Sequence, residues 1–498
     1  MRSMALNVVV YSLYADPKSM TAEQKSKAQA QVAAAMGGGS AAIAKKLAKD
    51  KNFVWLARKI PTEFYDKLKD KKIPGIGFVK ESKRFYPNGV LAAHVIGFAN
   101  IDNIGLQGVE YEYDHLLRGQ KGMAQFLRDA RQRDLMIEKD FVPPKDGHDV
   151  VLTIDETIQF IAENALEKSF RKHNARAASI IVMDPKTGEI LAFANRPTFN
   201  PGQPDATSVE SRTNRAVAFF FEPGSVFKIV TASAALEENV VKEDDIIFCE
   251  NGKYRVANHI LGDAHPKGNL TFRQVIEQSS NIGTTKVAQK LGPAKIYEYA
   301  RRYRVGLKTG VGMIGEVDGI LKPVGRWSKT SIGAVPIGQE VTVTAMQLVT
   351  MIAAVANDGV FMKPYYIKSI RDANGGVVEE SHPQVVSRVI SKETDRRLKE
   401  ILRGVVENGT GQAAKMTDIS AAGKTGTAQK VVGGVYSHNK FVSSFIGFAP
   451  VEDPKLAIVV TFDEPHPAYY GGTVAGPVFK EVVESALKYF AGRKGAGT

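Results

Sequence analysis

The 498-residue sequence predicts an α+β protein: one antiparallel sheet with helices packed on it, preceded by an elongated module. Two observations carry the prediction. Strand pairs closed by Pro/Asp/Gly turns stand near both ends of the region after residue 146. The sequence between them reads as mainly helical.

Residues 1–145 read as a separate, non-catalytic N-terminal module, because long apolar runs are scarce there. Gln31 to Lys46 is Ala-rich and predicts two short helices around Gly37-Gly38-Gly39. Arg84 to Gly89 reads as a turn, and Ile104 to Gly108 as a glycine-punctuated loop. Pro143-Pro144-Lys145-Asp146-Gly147 marks the boundary, since a double proline cannot sit inside regular structure.

After the boundary, residues 146–492 read as one domain. His148 to Ile154 predicts a strand. Ile158, Ile161, Ala162, Ala165, Leu166 and Phe170 follow at helical spacing. Ser179 to Met183 and Glu189 to Ala194 predict a hairpin around Asp184 to Gly188. Ser444 to Ala449 and Lys455 to Phe462 predict a second, around Pro450 to Pro454. An amphipathic helix, Val478 to Phe490, ends the domain.

Composition narrows the function classes. The net charge is +13, spread along the chain with no basic–aromatic module, so it reads as a solvated basic surface and not as a nucleic-acid site. A single cysteine, Cys249, excludes an internal disulfide framework. No stretch reaches the ~18 apolar residues of a membrane span, and the first residues lack the features of a signal peptide. Nothing calls for a cofactor or a metal. Gly423-Lys424-Thr425 could end a phosphate-binding loop, but that motif needs a glycine at position 418, which is Asp418.

Four Ser-x-x-Lys matches occur: Ser169/Lys172, Ser225/Lys228, Ser437/Lys440 and Ser485/Lys488. Context separates them. The first ends a helix, the third reads as a loop, and the fourth lies on the polar side of the last helix. Only Ser225 follows a Pro-Gly pair and opens an apolar helix. Helix N-termini favour a serine alkoxide and disfavour a protonated lysine. Desolvation by Val226, Phe227 and Ile229 would lower the pKa of Lys228 towards that of a usable base. The alternative, Ser225 as a helix N-cap with Lys228 solvated, stays open on this motif alone.

Of three Lys-Thr-Gly matches, Lys186 lies in a hairpin turn and Lys308 in a loop. Lys424-Thr425-Gly426 sits among small residues where extended structure would let a ligand lie along a strand. Its cation and hydroxyl could hold a carboxylate. Between these elements, Ser279-Ser280-Asn281 precedes a helical pattern. The ordered set Ser225-x-x-Lys228, Ser279-x-Asn281, Lys424-Thr-Gly426 is the triple of β-lactamases and penicillin-binding proteins.

On these motifs the sequence resembles the class B penicillin-binding proteins, the peptidoglycan D,D-transpeptidases. Further segments carry the likeness: Asn214 to Val217, Asn408 to Gly411, and Gly471 to Pro477 in the second domain, and Tyr14 to Pro17 and Ile104 to Glu110 in the first. Glu222 to Ser225 and Ile337 to Thr344 are similar to the division-type, FtsI-like branch. The resemblance implies a serine β-lactamase-like transpeptidase domain behind a dimerisation or pedestal module. It implies Ser225 as nucleophile, Lys228 as its base, and Ser279 and Lys424 as a proton relay. Asn281 would orient Lys228 and the substrate amide. Lys424, Thr425, Gly426 and Thr427 would line the carboxylate site, with the N–H groups of Ser225 and Thr427 as the oxyanion hole.

Expected partners are peptidoglycan stem peptides, β-lactams, and a membrane-embedded SEDS-type glycosyltransferase with other division proteins. The family's cytoplasmic tail, membrane helix and Arg-Gly-x-Ile-x-Asp-Arg-Asn-Gly segment do not precede Ala5. The resemblance therefore implies a sequence truncated at its start, from a single-pass protein of the cytoplasmic membrane with its catalytic domain outside. A β-lactamase would carry a Glu-x-x-Leu-Asn loop, and none stands between Asn281 and Lys424. A D,D-carboxypeptidase, or a non-catalytic β-lactam-binding scaffold or sensor, remains as the alternative.

Overall fold

The computed structural model describes residues 2–123 and 142–495, with the backbone of 126–128 and 134–136 between them; side chains are described as far as residue 493. Strand β1 (Leu6–Ala15) is followed by helices α1 (Ala22–Met36) and α2 (Ser40–Leu47), then by β2 (Val54–Ile60) and β3 (Ile76–Phe85). The strands form an antiparallel sheet in the order β2-β1-β3. The two helices are those predicted around the glycine run, but α1 begins earlier. Thr21 and Gln24 form a capping box ahead of the Ala-rich run, and Gly37 ends the helix with φ 70°. Leu13, Ala28, Val32, Ile43, Leu47, Leu56 and Leu68 make a small core of their own.

The chain then leaves that core. Tyr86, Val95, Ile96, Phe98 and Val109 are packed into the large core shared with the region after residue 150. The stretch 104–108 is not a simple loop: Gly105–Gln107 is a short strand paired with Phe98–Ala99, and a helical turn follows from Gly108. Its glycines serve close backbone approach. A Cβ on Gly105 would stand 1.8 Å from the carbonyl oxygen of Glu110.

The second region holds β4 (Asp149–Leu152), α3 (Glu156–Lys172), β5 (Ala177–Met183), β6 (Ile190–Arg196), α4 (Lys228–Glu237), α5 (Asn281–Leu291), α6 (Ala345–Ala356), β7 (Ala422–Val432), β8 (Val435–Ala449), β9 (Leu456–Asp463) and α7 (Gly476–Gly495). Five of these strands form one antiparallel sheet in the order β6-β5-β9-β8-β7. The predicted strand β4 lies outside it, paired with Ile367–Arg371.

Both faces of the main sheet are covered, so its inner strands β5 and β9 are buried along their whole length and do not alternate between buried and exposed. Ile180 and Val182 of β5 and Ile458, Val460 and Phe462 of β9 point to one side, where α3 and α7 pack through Ile158, Leu166, Phe479 and Val483. Ile181, Met183, Ala457 and Val459 point to the other, against Leu348 and Ile352 of α6. The ends of α3 and α5 are fixed by side-chain caps: Asp155 accepts from the N–H groups of Thr157 and Ile158, and Ser280 accepts from Gly283. No helix among the described residues is long and apolar enough to cross a membrane.

Candidate active site

Strand β7 is the edge of the sheet, and its open edge faces the turn that carries Ser225. That turn, Gly224–Phe227, is a 3-10 helix running into α4 at Lys228. The Ser225/Lys228 pair thus spans a 3-10/α junction and not the first turn of one α-helix. The N-cap alternative does not hold: Pro223 occupies the cap with no side-chain cap hydrogen bond, and Lys228 is fully buried. The turn is wedged tightly. Gly224 has φ 55°, and a Cβ on Gly426 of β7 would stand 2.9 Å from the carbonyl oxygen of Pro223 and 2.8 Å from Val226 Cγ2.

The other three Ser-x-x-Lys matches lie apart. Ser169 Oγ donates to the carbonyl of Val474. Ser485 and Lys488 are on α7. Ser437 and Lys440 are on β8 and not in a loop, since the second hairpin strand begins well before its predicted start at Ser444. Of the other Lys-Thr-Gly sequences, Lys186 pairs with Asp453 in its turn, and Lys308 is exposed.

The three selected motifs converge. Lys228 Nζ donates to the carbonyl oxygen of Ser279 at 2.7 Å, to Ser279 Oγ at 3.1 Å and to Asn281 Oδ1 at 2.8 Å. Lys424 Nζ donates to the same Ser279 Oγ at 2.9 Å. Ser279 takes φ 58°, a left-handed conformation uncommon for serine. With it, both its carbonyl and its hydroxyl reach Lys228. Thr425 Oγ1 lies 2.7 Å from Thr410 Oγ1, and Thr427 Oγ1 accepts from the N–H of Gly471 at 3.0 Å. Gly426 lies between them, where any side chain would meet Ser444 Oγ at 2.3 Å.

Burial governs the charges here. It lowers Lys228 from the ordinary lysine range to about 7, with Asp263 pulling the other way. Lys424 is pushed well down, first by burial and then by repulsion from Lys228. Two amines bridged by one hydroxyl in a dry site favour neutral forms, which are proton acceptors.

Sequence reasoning missed Asp263. It accepts from Ser280 Oγ at 2.6 Å, from the N–H of Asn281 at 2.5 Å and from the N–H of Ile282 at 3.1 Å. This is the free N-terminus of α5, where a carboxylate satisfies unpaired N–H groups. The neighbouring Gly262 carbonyl accepts from Asn281 Nδ2 at 2.9 Å, which turns Oδ1 towards Lys228. Asp263 lies 17 residues before Ser280, in a loop without motif character. Thr410 was within reach of the sequence, in the Asn408–Gly411 segment.

A five-stranded antiparallel sheet covered by helices, with these three motifs gathered at one edge strand, defines the serine β-lactamase-like, penicillin-recognising class. Comparison with known proteins narrows it. The "Penicillin binding protein transpeptidase domain" model matches residues 178–484, and the "Penicillin-binding Protein dimerisation domain" model matches residues 2–152. Stage V sporulation protein D of Bacillus subtilis is 37% identical over 437 residues, 86% of this chain and 68% of that protein. The probable peptidoglycan D,D-transpeptidase PenA of Neisseria meningitidis is 33% identical over 491 residues, 97% of this chain and 82% of that protein. Penicillin-binding protein 3 of Mycobacterium tuberculosis, solved with aztreonam, superposes with a TM-score of 0.74 at 33% identity, covering 83% of this chain and 91% of that one. The chain belongs to the class B penicillin-binding proteins and is a peptidoglycan D,D-transpeptidase.

Proposed function

We propose that the transpeptidase works through an acyl-enzyme on Ser225 during septal wall synthesis. The observation that carries this is the shared contact of Ser279 Oγ with two buried lysines, one of them three residues after Ser225. Neutral Lys228 takes the Ser225 proton as Oγ bonds to the carbonyl carbon of the penultimate D-Ala. The N–H groups of Ser225 and Thr427 hold the oxyanion. The bond to the terminal D-Ala breaks as its nitrogen receives the proton that Lys228 took, relayed through Ser279 and Lys424. An amine of a neighbouring stem peptide then attacks the ester, returning Ser225 its proton and leaving a crosslink.

Asn281 holds Lys228 and the substrate amide. Lys424, Thr425, Gly426 and Thr427 receive the substrate's terminal carboxylate along the edge of β7. β-Lactams acylate the same serine; aztreonam in the relative's solved structure supports this reading. Peptidoglycan lies outside the cytoplasmic membrane, so the domain works there, tethered by a single-pass anchor beside a SEDS-type glycosyltransferase and other division proteins. The division-type likeness of Glu222 to Ser225 and Ile337 to Thr344 supports the septal role.

The test is covalent labelling with a fluorescent penicillin, and crosslinking of stem peptides with an acceptor amine. Wild type should label and crosslink, and Ser225→Ala should do neither. Label that survives in Ser225→Ala, or release of D-Ala with no crosslink, overturns the reading.

A further inference from the structure

Glu222, three residues before Ser225, carries a carboxyl that the chemistry above does not use. Its Oε1 accepts from the N–H of Glu340 at 3.0 Å and from the hydroxyl of Tyr436 at 3.1 Å. Its Oε2 is buried with no partner among the described residues. A charge there would be costly, and an unpartnered neutral hydroxyl costs less. The charged group acting on it is Glu340, of like sign. Burial and then that repulsion outweigh the two hydrogen bonds and push the Glu222 carboxyl up. Burial also pushes the Tyr436 hydroxyl up, so tyrosine remains the donor.

The two donors come from different places. Tyr436 is on β8, opposite Val431 of β7, on the strand pair whose other end bears Lys424 to Thr427. Glu340 closes the turn from Gly338, whose carbonyl accepts from the N–H of Gly224 at 3.1 Å. Phe221 and Val343 exchange two backbone hydrogen bonds of 2.9 Å. The backbone therefore fixes the nucleophile segment to residues 338–343. Glu222 adds the side-chain link from that segment to the β7–β8 hairpin.

We propose that Glu222 is a positioning residue that fastens the β7–β8 hairpin and the Gly338–Glu340 turn to the segment bearing Ser225, and so sets the nucleophile against Thr427. The proposal rests on the acyl-enzyme reading. It predicts an effect on the acylation step and little on initial binding, because Glu222 aligns reacting groups and does not touch the ligand.

The experiment compares Glu222→Ala, Glu222→Gln and Tyr436→Phe with wild type in saturating acylation kinetics with a fluorescent penicillin, with thermal unfolding of each. Glu222→Ala should lower the limiting acylation rate by about tenfold or more, with the half-saturating concentration held within about threefold. Glu222→Gln keeps an oxygen acceptor for both donors and should recover most of that loss. Tyr436→Phe should slow acylation by a few-fold with its unfolding temperature little changed. A Gln variant as slow as the Ala variant, a loss confined to the half-saturating concentration, or Tyr436→Phe at the wild-type rate would each overturn the proposal. If Glu222→Ala does not fold, the Gln and Tyr436 arms still decide it. Failure of the acyl-enzyme reading looks different, since wild type itself would then not label through Ser225.

Discussion

Ser279 Oγ lies 3.1 Å from the Nζ of Lys228 and 2.9 Å from the Nζ of Lys424, so one hydroxyl bridges two buried amines. In the proposed mechanism Lys228 acts as base only when neutral, and burial places it at about 7. Acylation should therefore rise with pH through neutrality, by up to about tenfold per unit on the acid side. Stopped-flow labelling from about pH 5 to about pH 9 measures this. A flat profile across neutrality would remove Lys228 as the base.

The same burial has a signature in stability. The folded pKa of Lys228, about 7, lies below its ordinary value of 10.5. The unfolded chain therefore binds more protons than the folded one between those values. The Lys228 contribution to stability rises with pH across that window and is least favourable below it. Lys228→Met removes the titrating group. The variant should not label, and its stability relative to wild type should decline as pH rises from about 7 to about 10. Urea unfolding of both proteins at several pH values gives the difference directly. A difference that does not change with pH would mean the amine is not desolvated.

How much of this was legible in the sequence depended on whether the signal was local. The helix α3, the hairpin β5–β6 and the second hairpin followed from periodicity and turn residues, because those features lie within a few neighbours of each residue. The stretch 104–108 misled because glycine marks both loops and close backbone contacts, and only the tertiary fold distinguishes them. The motifs singled out Ser225, Lys228, Ser279, Asn281 and Lys424, but not the left-handed backbone of Ser279 that lets it meet both lysines. Asp263 and Glu222 act across tertiary contacts that no spacing encodes, with Glu222 joined to Tyr436 214 residues away.

Asp263 offers a prediction that separates charge from scaffolding. Its carboxylate holds the Ser280–Ile282 corner and also raises Lys228 against burial. Asp263→Asn keeps an acceptor and loses the charge. The acid limb of the labelling profile should move to lower pH, since Lys228 loses its stabilising anion, while the plateau falls because one carboxylate no longer serves three donors. A limb that stays in place would show that Asp263 acts on the loop alone.

Gly338 and Gly375 have the same φ of 84° and opposite surroundings. At Gly338 a Cβ would stand 2.1 Å from the carbonyl oxygen of Gly224 and 2.6 Å from its nitrogen, whereas at Gly375 it would meet nothing within 4 Å. Substituting alanine at either position costs left-handed backbone strain of about 1 kcal/mol. Only at Gly338 must the backbone beside Ser225 also move, because the atoms in the way are main chain and cannot rotate aside. Gly338→Ala should therefore lose about 2 kcal/mol or more beyond Gly375→Ala in urea unfolding. It should also acylate at least about tenfold more slowly, while Gly375→Ala acylates like wild type. Equal stability losses in the two variants, or a Gly338→Ala protein that acylates normally, would show that the nucleophile turn does not depend on its contact with Gly338.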